Sequence, residues 1–324
     1  VTHQARGLFR IRPRRYRDEA QPPAEETEQA VHTRIVPEAQ GALAVTTLAL
    51  MACLAVATAG AAAAQDAAAS YRIDPRPKTL SELATRYTPS QIDVIEMLNR
   101  RDREHLLRSD PPVPGLVVPT AWSEDPLAYS PFPAVWAAAE PHAKAVVVHQ
   151  PMQAFAAYEK GRLVRWGPVS SGRKETVTPE GAFNLTWRAR SRRSTDNQDW
   201  LLEWYFNFVN ERGVSFHLFD LPGYPASHAC VRLLLRDAQW LYGWGAQWTL
   251  SKDGRVVEVP GTPVLVIGAF GHGEAPPWTS LPALASPIAL PPEVPPPSSS
   301  DPHDAVGDQR IAVEHRRIVP RHDQ

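Results

Sequence analysis

Between residues 143 and 271 the chain offers a succession of short runs rich in β-branched and aromatic residues: "KAVVVHQ", "AFAAYEKGRLVRWGPVSSG", "EGAFNLTWRAR", "GVSFHLFD", "GRVVEVP" and "TPVLVIGAF". Such runs, bounded by turn residues and in one case doubling back at Lys160-Gly161, predict an antiparallel-rich β sandwich or barrel. One segment breaks the pattern: in "LLLRDAQWLYGWG" the residues Leu234, Ala238, Leu241 and Tyr242 recur at helical spacing. The expected class is therefore mainly β with one helix. A hydrophobic fraction of 43% over 324 residues supplies one ordinary core plus a small module. The net charge of -1 offers no field to a polyanion, and the arginines of "RGLFRIRPRRYR" sit at an extreme terminus, so nucleic acid is not expected as a partner.

The flanking segments read differently. Residues 1–40 are an Arg-, Pro- and Glu-rich unstructured leader opening on Val1, which leaves a start further downstream, such as Val31, open. Residues 41–64 contain "ALAVTTLALMACLAVATAGAAAA", 23 uncharged residues after Arg34 that end on an A-x-A site at Ala62-Ala63-Ala64. That pattern predicts a signal peptide, or else an uncleaved membrane anchor, and hence an exported protein of the periplasm or cell envelope. Contact with a membrane is expected only through such an anchor. Cys53 in "LMAC" loosely resembles a lipoprotein lipobox, but the apolar run continues past it.

Residues 78–119 show two short amphipathic helices, with Leu80, Leu83, Ala84 and Tyr87 on one stripe and Ile92, Ile95 and Leu98 on the next. Thr79 with Glu82, and Thr88 with Gln91, have capping-box spacing, and Pro89 suits a first helical position. Through "TLSELATRY", the Leu98-Asn99 pair and the closing "VP", this stretch resembles a degenerate lysin-motif module, a βααβ unit that holds glycan chains in a shallow groove. The other reading of the same residues is a two-helix cap packed on the next domain. Residues 120–142 read as a linker, and residues 272–324 as a Pro-rich disordered tail.

Chemistry concentrates in "SFHLFDLPGYPASHACVRLLL", where Cys230, the one cysteine left once a signal peptide is removed, lies near His217 and His228. A thiol attacks as thiolate, and a helix N-terminus and a nearby imidazole both lower its pKa. The predicted helix begins shortly after Cys230, and the N–H groups of Ala229 and Cys230 are placed to receive an oxyanion. His217 ends a β-patterned run and can approach from a neighbouring strand, whereas His228 is two residues away along a turn, so His217 is favoured as base. A lone cysteine is also often a small buried hydrophobe. One thiol without a CxxC pair does not suit zinc, a Cys/His/His site being the alternative, and no metal or cofactor is expected. An unused free thiol in an oxidising compartment is a liability, which weighs toward function.

The segment "SFHLFDLPGYPASHACVRL" resembles the active-site motif of the L,D-transpeptidase (YkuD) family, an upstream histidine followed by Ser/Thr-His-Gly-Cys, a hydrophobic residue and Arg or Asn. Val169-Ser170-Ser171-Gly172 and Thr178-Pro179-Glu180-Gly181-Ala182-Phe183 resemble the family's "VStG" and "TPxGxF" turns, and the resemblance covers about residues 143–271. It implies a YkuD-like catalytic domain that uses Cys230 as nucleophile and His217 as base, with the Leu218 carbonyl orienting the imidazole. It further implies that Ala229 and Cys230 supply oxyanion N–H groups, that Ser227 and His228 shape the site, that Arg232 contacts substrate or braces the loop, and that Tyr224 contacts substrate. The implied partner is peptidoglycan, its stem peptides serving as donor and acceptor and its glycan meeting the N-terminal module. The implied reaction is acyl transfer through a thioester, giving 3→3 cross-links or attaching a protein to the wall. The alternatives are a hydrolase using the same thioester and a catalytically weakened wall-binding protein. Two departures stand out: Ala229 replaces the glycine before the cysteine, and only nine residues separate His217 from Ser227.

Overall fold

The structure, a computed structural model, describes residues 70–110, 113–281 and 287–297. The leader, the 41–64 segment with Cys53, and the tail from residue 298 onward lie outside the described residues. Among the described residues no helix is long and apolar enough to cross a membrane.

The N-terminal module has the order βααβ. Strands β1 (Tyr71–Asp74) and β2 (Leu116–Pro119) pair antiparallel, Ile73 opposite Val117, and enclose α1 (Leu80–Arg86) and α2 (Pro89–Asn99). Its first strand therefore precedes the 78–119 boundary read from the sequence. Thr88 and Gln91 form the expected reciprocal capping box with Pro89 in the first turn. In α1, Thr79 Oγ1 accepts the Glu82 N–H, but the Glu82 carboxylate accepts from Lys78 N, one residue beyond the cap, so the box is not reciprocal. Leu83 and Tyr87 are buried as the α1 stripe requires, while Leu80 stays exposed. Helix α2 buries two faces: Ile92 and Ile95 pack with Leu83, Leu116 and Val118, whereas Val94 and Met97 join the core of the following domain. Just past α2, Arg100 enters that core, donating from Nε to Met152 O at 2.9 Å, with its guanidinium 5.3 Å from the Trp166 ring and 5.7 Å from that of Trp278. The helices thus cap the next domain as well as closing on their own strands.

The larger domain is mainly β. Its strands are β3 (Ala145–His149), β4 (Ala154–Glu159), β5 (Arg162–Ser170), β6 (Gly181–Asn184), β7 (Arg188–Arg193), β8 (Leu201–Val209), β9 (Val214–Leu218), β10 (Val231–Leu233) and, after α3 (Leu235–Trp244) and the short pair β11 (Thr249–Leu250) and β12 (Val257–Val259), β13 (Pro263–Ile267). Nine of them form one mixed sheet in the order β6-β13-β3-β4-β5-β10-β9-β8-β7. Pairing is parallel at β13–β3 and β10–β9 and antiparallel elsewhere, and the edge strand β6 also touches β8, so the sheet curls on itself. Lys160 and Gly161 both adopt positive φ, 45° and 72°, as the tight β4–β5 turn demands.

Both faces of the sheet are covered, which is why its central strands read as unbroken apolar runs. Alternate residues point to opposite sides: Val146 and Val148 pack with Phe206, Phe216, Val231 and Leu241, and Val147 with Trp136, Trp166 and Met97. The second group includes residues from segments that the sequence reading left outside any core. Within 120–142, Tyr129, Phe132 and Trp136 are buried, and Trp136 Nε1 donates to Pro291 O at 2.8 Å. Within the tail, Trp278 is 1% exposed and Ile288 N donates to Pro131 O at 2.7 Å. Pro-rich chain supplies few backbone donors, but its aromatic and aliphatic side chains cover apolar sheet surface, so the linker and the first part of the tail are built into the fold.

Candidate active site

Cys230 ends the loop that returns from β9. Strand β10 follows at once, pairing parallel with β9 (Val231 opposite Phe216, Arg232 opposite His217) and antiparallel with β5 (Arg232 opposite Ser170). This register sets Cys230 beside Ser215, and the sulfur lies 3.4 Å from Ser215 Oγ and 3.8 Å from Gly213 O. It also corrects the sequence reading in one respect. Helix α3 opens only at Leu235, after β10, and the field of a helix end fades within its first turn, so its dipole does not serve the thiol.

Ser215 and His217, two residues apart on β9, share one face of the strand. His217 is 3% exposed, and its Nδ1 lies 3.0 Å from Leu218 O. A carbonyl only accepts, so Nδ1 carries the proton and Nε2 keeps a free lone pair. Burial, with the charge of Arg232 adding to it against the Leu218 hydrogen bond, lowers the His217 pKa to about 4. The imidazole is therefore neutral at pH 7. Burial also pushes the Cys230 pKa up, the Ser215 hydroxyl and backbone working against that rise. The resting pair is thiol and neutral imidazole.

The loop before Cys230 is tied to the two upstream motifs by hydrogen bonds. Gly172 N donates to Thr178 Oγ1 at 2.8 Å, and that hydroxyl donates to Ala229 O at 2.8 Å. Ser227 N donates to Ser171 O at 3.0 Å, while Ser227 O accepts from Arg173 N at 2.9 Å and from Thr176 Oγ1 at 3.1 Å. A Cβ at Gly172 would stand 2.1 Å from Thr176 O, so this packing requires glycine there. "VSSG", "TPEGAF" and "SHAC", separate in sequence, are one bonded unit in space.

Ala229 sits at φ 83°, in the left-handed region. The backbone keeps here the conformation that glycine favours, although the residue is alanine, which bears the strain, about 1–2 kcal/mol. His228 is half-buried against Trp200, ring centroids 5.0 Å apart, and its Nδ1 is buried with no hydrogen-bond partner. Arg232 donates to Ala226 O at 2.9 Å and to Asp220 O at 3.4 Å, and lies 4.6 Å from the Phe219 ring. It braces the loop with part of its guanidinium.

Cys230 stands between two openings. A recess of about 30 Å³ is lined by His217, Ser227, His228, Cys230 and Arg232, with Asp196 and Trp200 from the β7–β8 connection. A cleft of about 670 Å³ is lined by His228, Ala229 and Cys230 together with Glu175, Arg192, Asp196, Glu211 and Arg212. Cys230, His217, Ser227, His228, Ala229 and Arg232 are thus brought together. Tyr224 is not: it lines neither opening, and its carbonyl accepts from Ser170 Oγ at 2.8 Å. Leu218 contributes its carbonyl alone. Sequence reasoning missed Ser215, Asp196 and Trp200. Of these, Ser215 carried a signal, a polar residue in phase with His217 on an otherwise apolar strand.

The L,D-transpeptidase catalytic domain family (YkuD) matches residues 143–266 of the chain. Similar solved structures include an L,D-transpeptidase (Yku) from Stackebrandtia nassauensis, 24% identical over 44% of this chain and 63% of that one with a TM-score of 0.35. An L,D-transpeptidase from Mycobacterium tuberculosis is 24% identical over 39% of this chain and 58% of that one, with a TM-score of 0.31. One from Mycobacterium smegmatis is 17% identical over 39% and 59%, with a TM-score of 0.31. The chain spans less than two thirds of the length of each of these structures. No curated protein matches it.

Proposed function

We propose, on the premise that residues 143–266 are an L,D-transpeptidase (YkuD) catalytic domain, that this chain transfers acyl groups between peptidoglycan stem peptides with Cys230 as nucleophile. The observation that carries the reading is the pairing of Cys230 and His217 on one recess, with His217 Nδ1 committed to Leu218 O and Nε2 left free. Nε2 takes the thiol proton as the sulfur attacks the carbonyl between the diamino acid at stem position 3 and the D-Ala at position 4. The N–H groups of Ala229 and Cys230 receive the oxyanion. His217 then returns the proton to the departing D-Ala amine, leaving a thioester. An amine of a second stem attacks that thioester, its proton passes to the sulfur, and a 3→3 cross-link forms. The cleft bearing Arg192, Arg212, Asp196 and Glu211 offers charges of both signs, which suits a zwitterionic peptide end.

The βααβ module adds weak glycan affinity in this reading, raising the local concentration of stems. Its substrate lies outside the cytoplasmic membrane, so the reading includes export to the periplasm or cell envelope. Purified muropeptides test it: a tetrapeptide donor and a stem acceptor should give a cross-linked dimer with release of D-Ala. Release of D-Ala without dimer indicates the hydrolase that uses the same thioester. The positive φ of Ala229 favours one further alternative, a wall-binding protein with a weakened site, which releases no D-Ala and still sediments with peptidoglycan.

A further inference from the structure

We propose that Ser215 is a positioning residue for the nucleophile, its hydroxyl donating to the Cys230 sulfur and stabilising the thiolate that forms beside the recess when His217 takes the thiol proton. This rests on the reading of Cys230 as the nucleophile. Three observations carry it. The oxygen and sulfur are 3.4 Å apart, and Ser215 is fully buried, so water does not compete for the contact. The β9–β10 register fixes both residues on neighbouring strands, which makes the contact a property of the sheet. Finally, the helix that follows the sulfur in the chain opens only at Leu235, beyond β10, so it does not supply the donor that often stabilises such a thiolate.

The direction of the hydrogen bond follows from its surroundings. Tyr205 stands beside both residues: its Oη donates to Gly213 O at 3.0 Å, accepts from Asn207 Nδ2 at 3.2 Å and also meets the Ser215 hydroxyl. The Ser215 hydroxyl thus serves both the phenol and the sulfur, and its hold on the sulfur is greatest once that atom carries charge. Gly213 O, 3.8 Å from Sγ, accepts from the resting thiol and offers nothing to a thiolate. Once the thiol proton leaves, sulfur can only accept, and the Ser215 hydroxyl then gains strength as a charge-assisted donor. The titratable and charged groups around the sulfur are His217 on β9, Arg192 and Tyr205 on β7 and β8, Asp196 on their connection, His228 and Arg232 on either side in sequence, and Glu175, Glu211 and Arg212 around the cleft. Arg192 favours the thiolate and Asp196 opposes it, leaving Ser215 as the neutral donor in contact with the atom.

The test is the pH dependence of Cys230 alkylation by iodoacetamide in the full chain, followed on the Cys230 peptide by mass spectrometry so that Cys53 does not interfere. Ser215→Ala should move the alkylation midpoint up by about one pH unit, equivalent to about tenfold slower reaction at a fixed pH below it. Ser215→Thr, which keeps the hydroxyl, should stay close to the parent. Ser215→Val, equal to threonine in shape, should behave like Ser215→Ala, and this pair decides the matter if alanine disturbs folding. Equal midpoints for the threonine and valine variants overturn the proposal. Alkylation needs no cell-wall substrate, so a Ser215-dependent midpoint in a protein that never cross-links stems sinks the transpeptidase reading and leaves the role of Ser215 standing.

Discussion

The hydroxyl of Thr178 donates to the carbonyl of Ala229 at 2.8 Å, one residue before the candidate nucleophile, while accepting from Gly172 N. A single side chain from the "TPEGAF" turn thus fixes both the "VSSG" segment and the strained turn that carries the sulfur. Thr178→Val keeps the shape and removes both bonds, leaving a buried N–H and a part-buried carbonyl unpaired. Chemical denaturation should report a loss of about 1–3 kcal/mol, since each unsatisfied buried group costs in that range. Acylation should fall as well, and a variant with unchanged stability and rate contradicts the role given to this bond.

Ala229→Gly should raise stability by about 1 kcal/mol, because glycine adopts φ 83° without the Cβ penalty, partly offset by its greater freedom in the unfolded chain. The acylation rate should change by less than about tenfold, the equivalent of 1.4 kcal/mol, since the turn already holds the backbone conformation that glycine prefers. An increase of a hundredfold or more shows a natural chain crippled at its oxyanion donors and supports the wall-binding alternative.

Much of this site was legible in the sequence because its parts are local: "VSSG", "TPEGAF", His217 and "SHAC" are short, and each sets its own turn. The distance between Cys230 and a helix was not legible, since the short stretch Val231–Leu233, Arg232 between two apolar residues, fits a helix start as well as a strand. Strand β8, "LLEWYFNFV", also went unread in the sequence despite its aromatic richness, and with it the position of Tyr205. The module's first strand was missed because "YRID" is too short to show a period. Trp136 and Trp278 lie in proline-rich chain, where composition points to an unpacked segment, and only the three-dimensional fit shows that each ring covers the sheet.

The two histidines should separate in function. His217→Ala is expected to remove most acylation, because it deletes the one imidazole with a committed Nδ1 and a free Nε2 on the recess. His228→Ala should retain more activity and lose stability through its contact with Trp200. Acylation kinetics on both variants, with circular dichroism to confirm folding, check the assignment; a deader His228→Ala reverses it.

The pH dependence of stability carries a second signature of His217. Its pKa falls from 6.5 unfolded to about 4 folded, so between those values the unfolded chain binds a proton that the folded one does not. Stability from this group is therefore full above pH 6.5, declines as pH falls through the window, and levels off below about 4. His149, also lowered to about 4 by burial, adds a similar slope. His217→Asn should flatten the curve between these limits without abolishing it, as measured by denaturation midpoints; an unchanged slope contradicts a buried neutral His217.

The most direct measurement of the central claim is the intact mass of the full chain after incubation with a tetrapeptide donor or a carbapenem, run beside Cys230→Ala. The account expects one acyl adduct on the parent, mapped to Cys230, and none on the variant, whose turnover should fall by several orders of magnitude. An adduct on Cys230→Ala, or turnover in it above about 1% of the parent where loss of a nucleophile should cost far more, contradicts Cys230 as the nucleophile and the mechanism built on it.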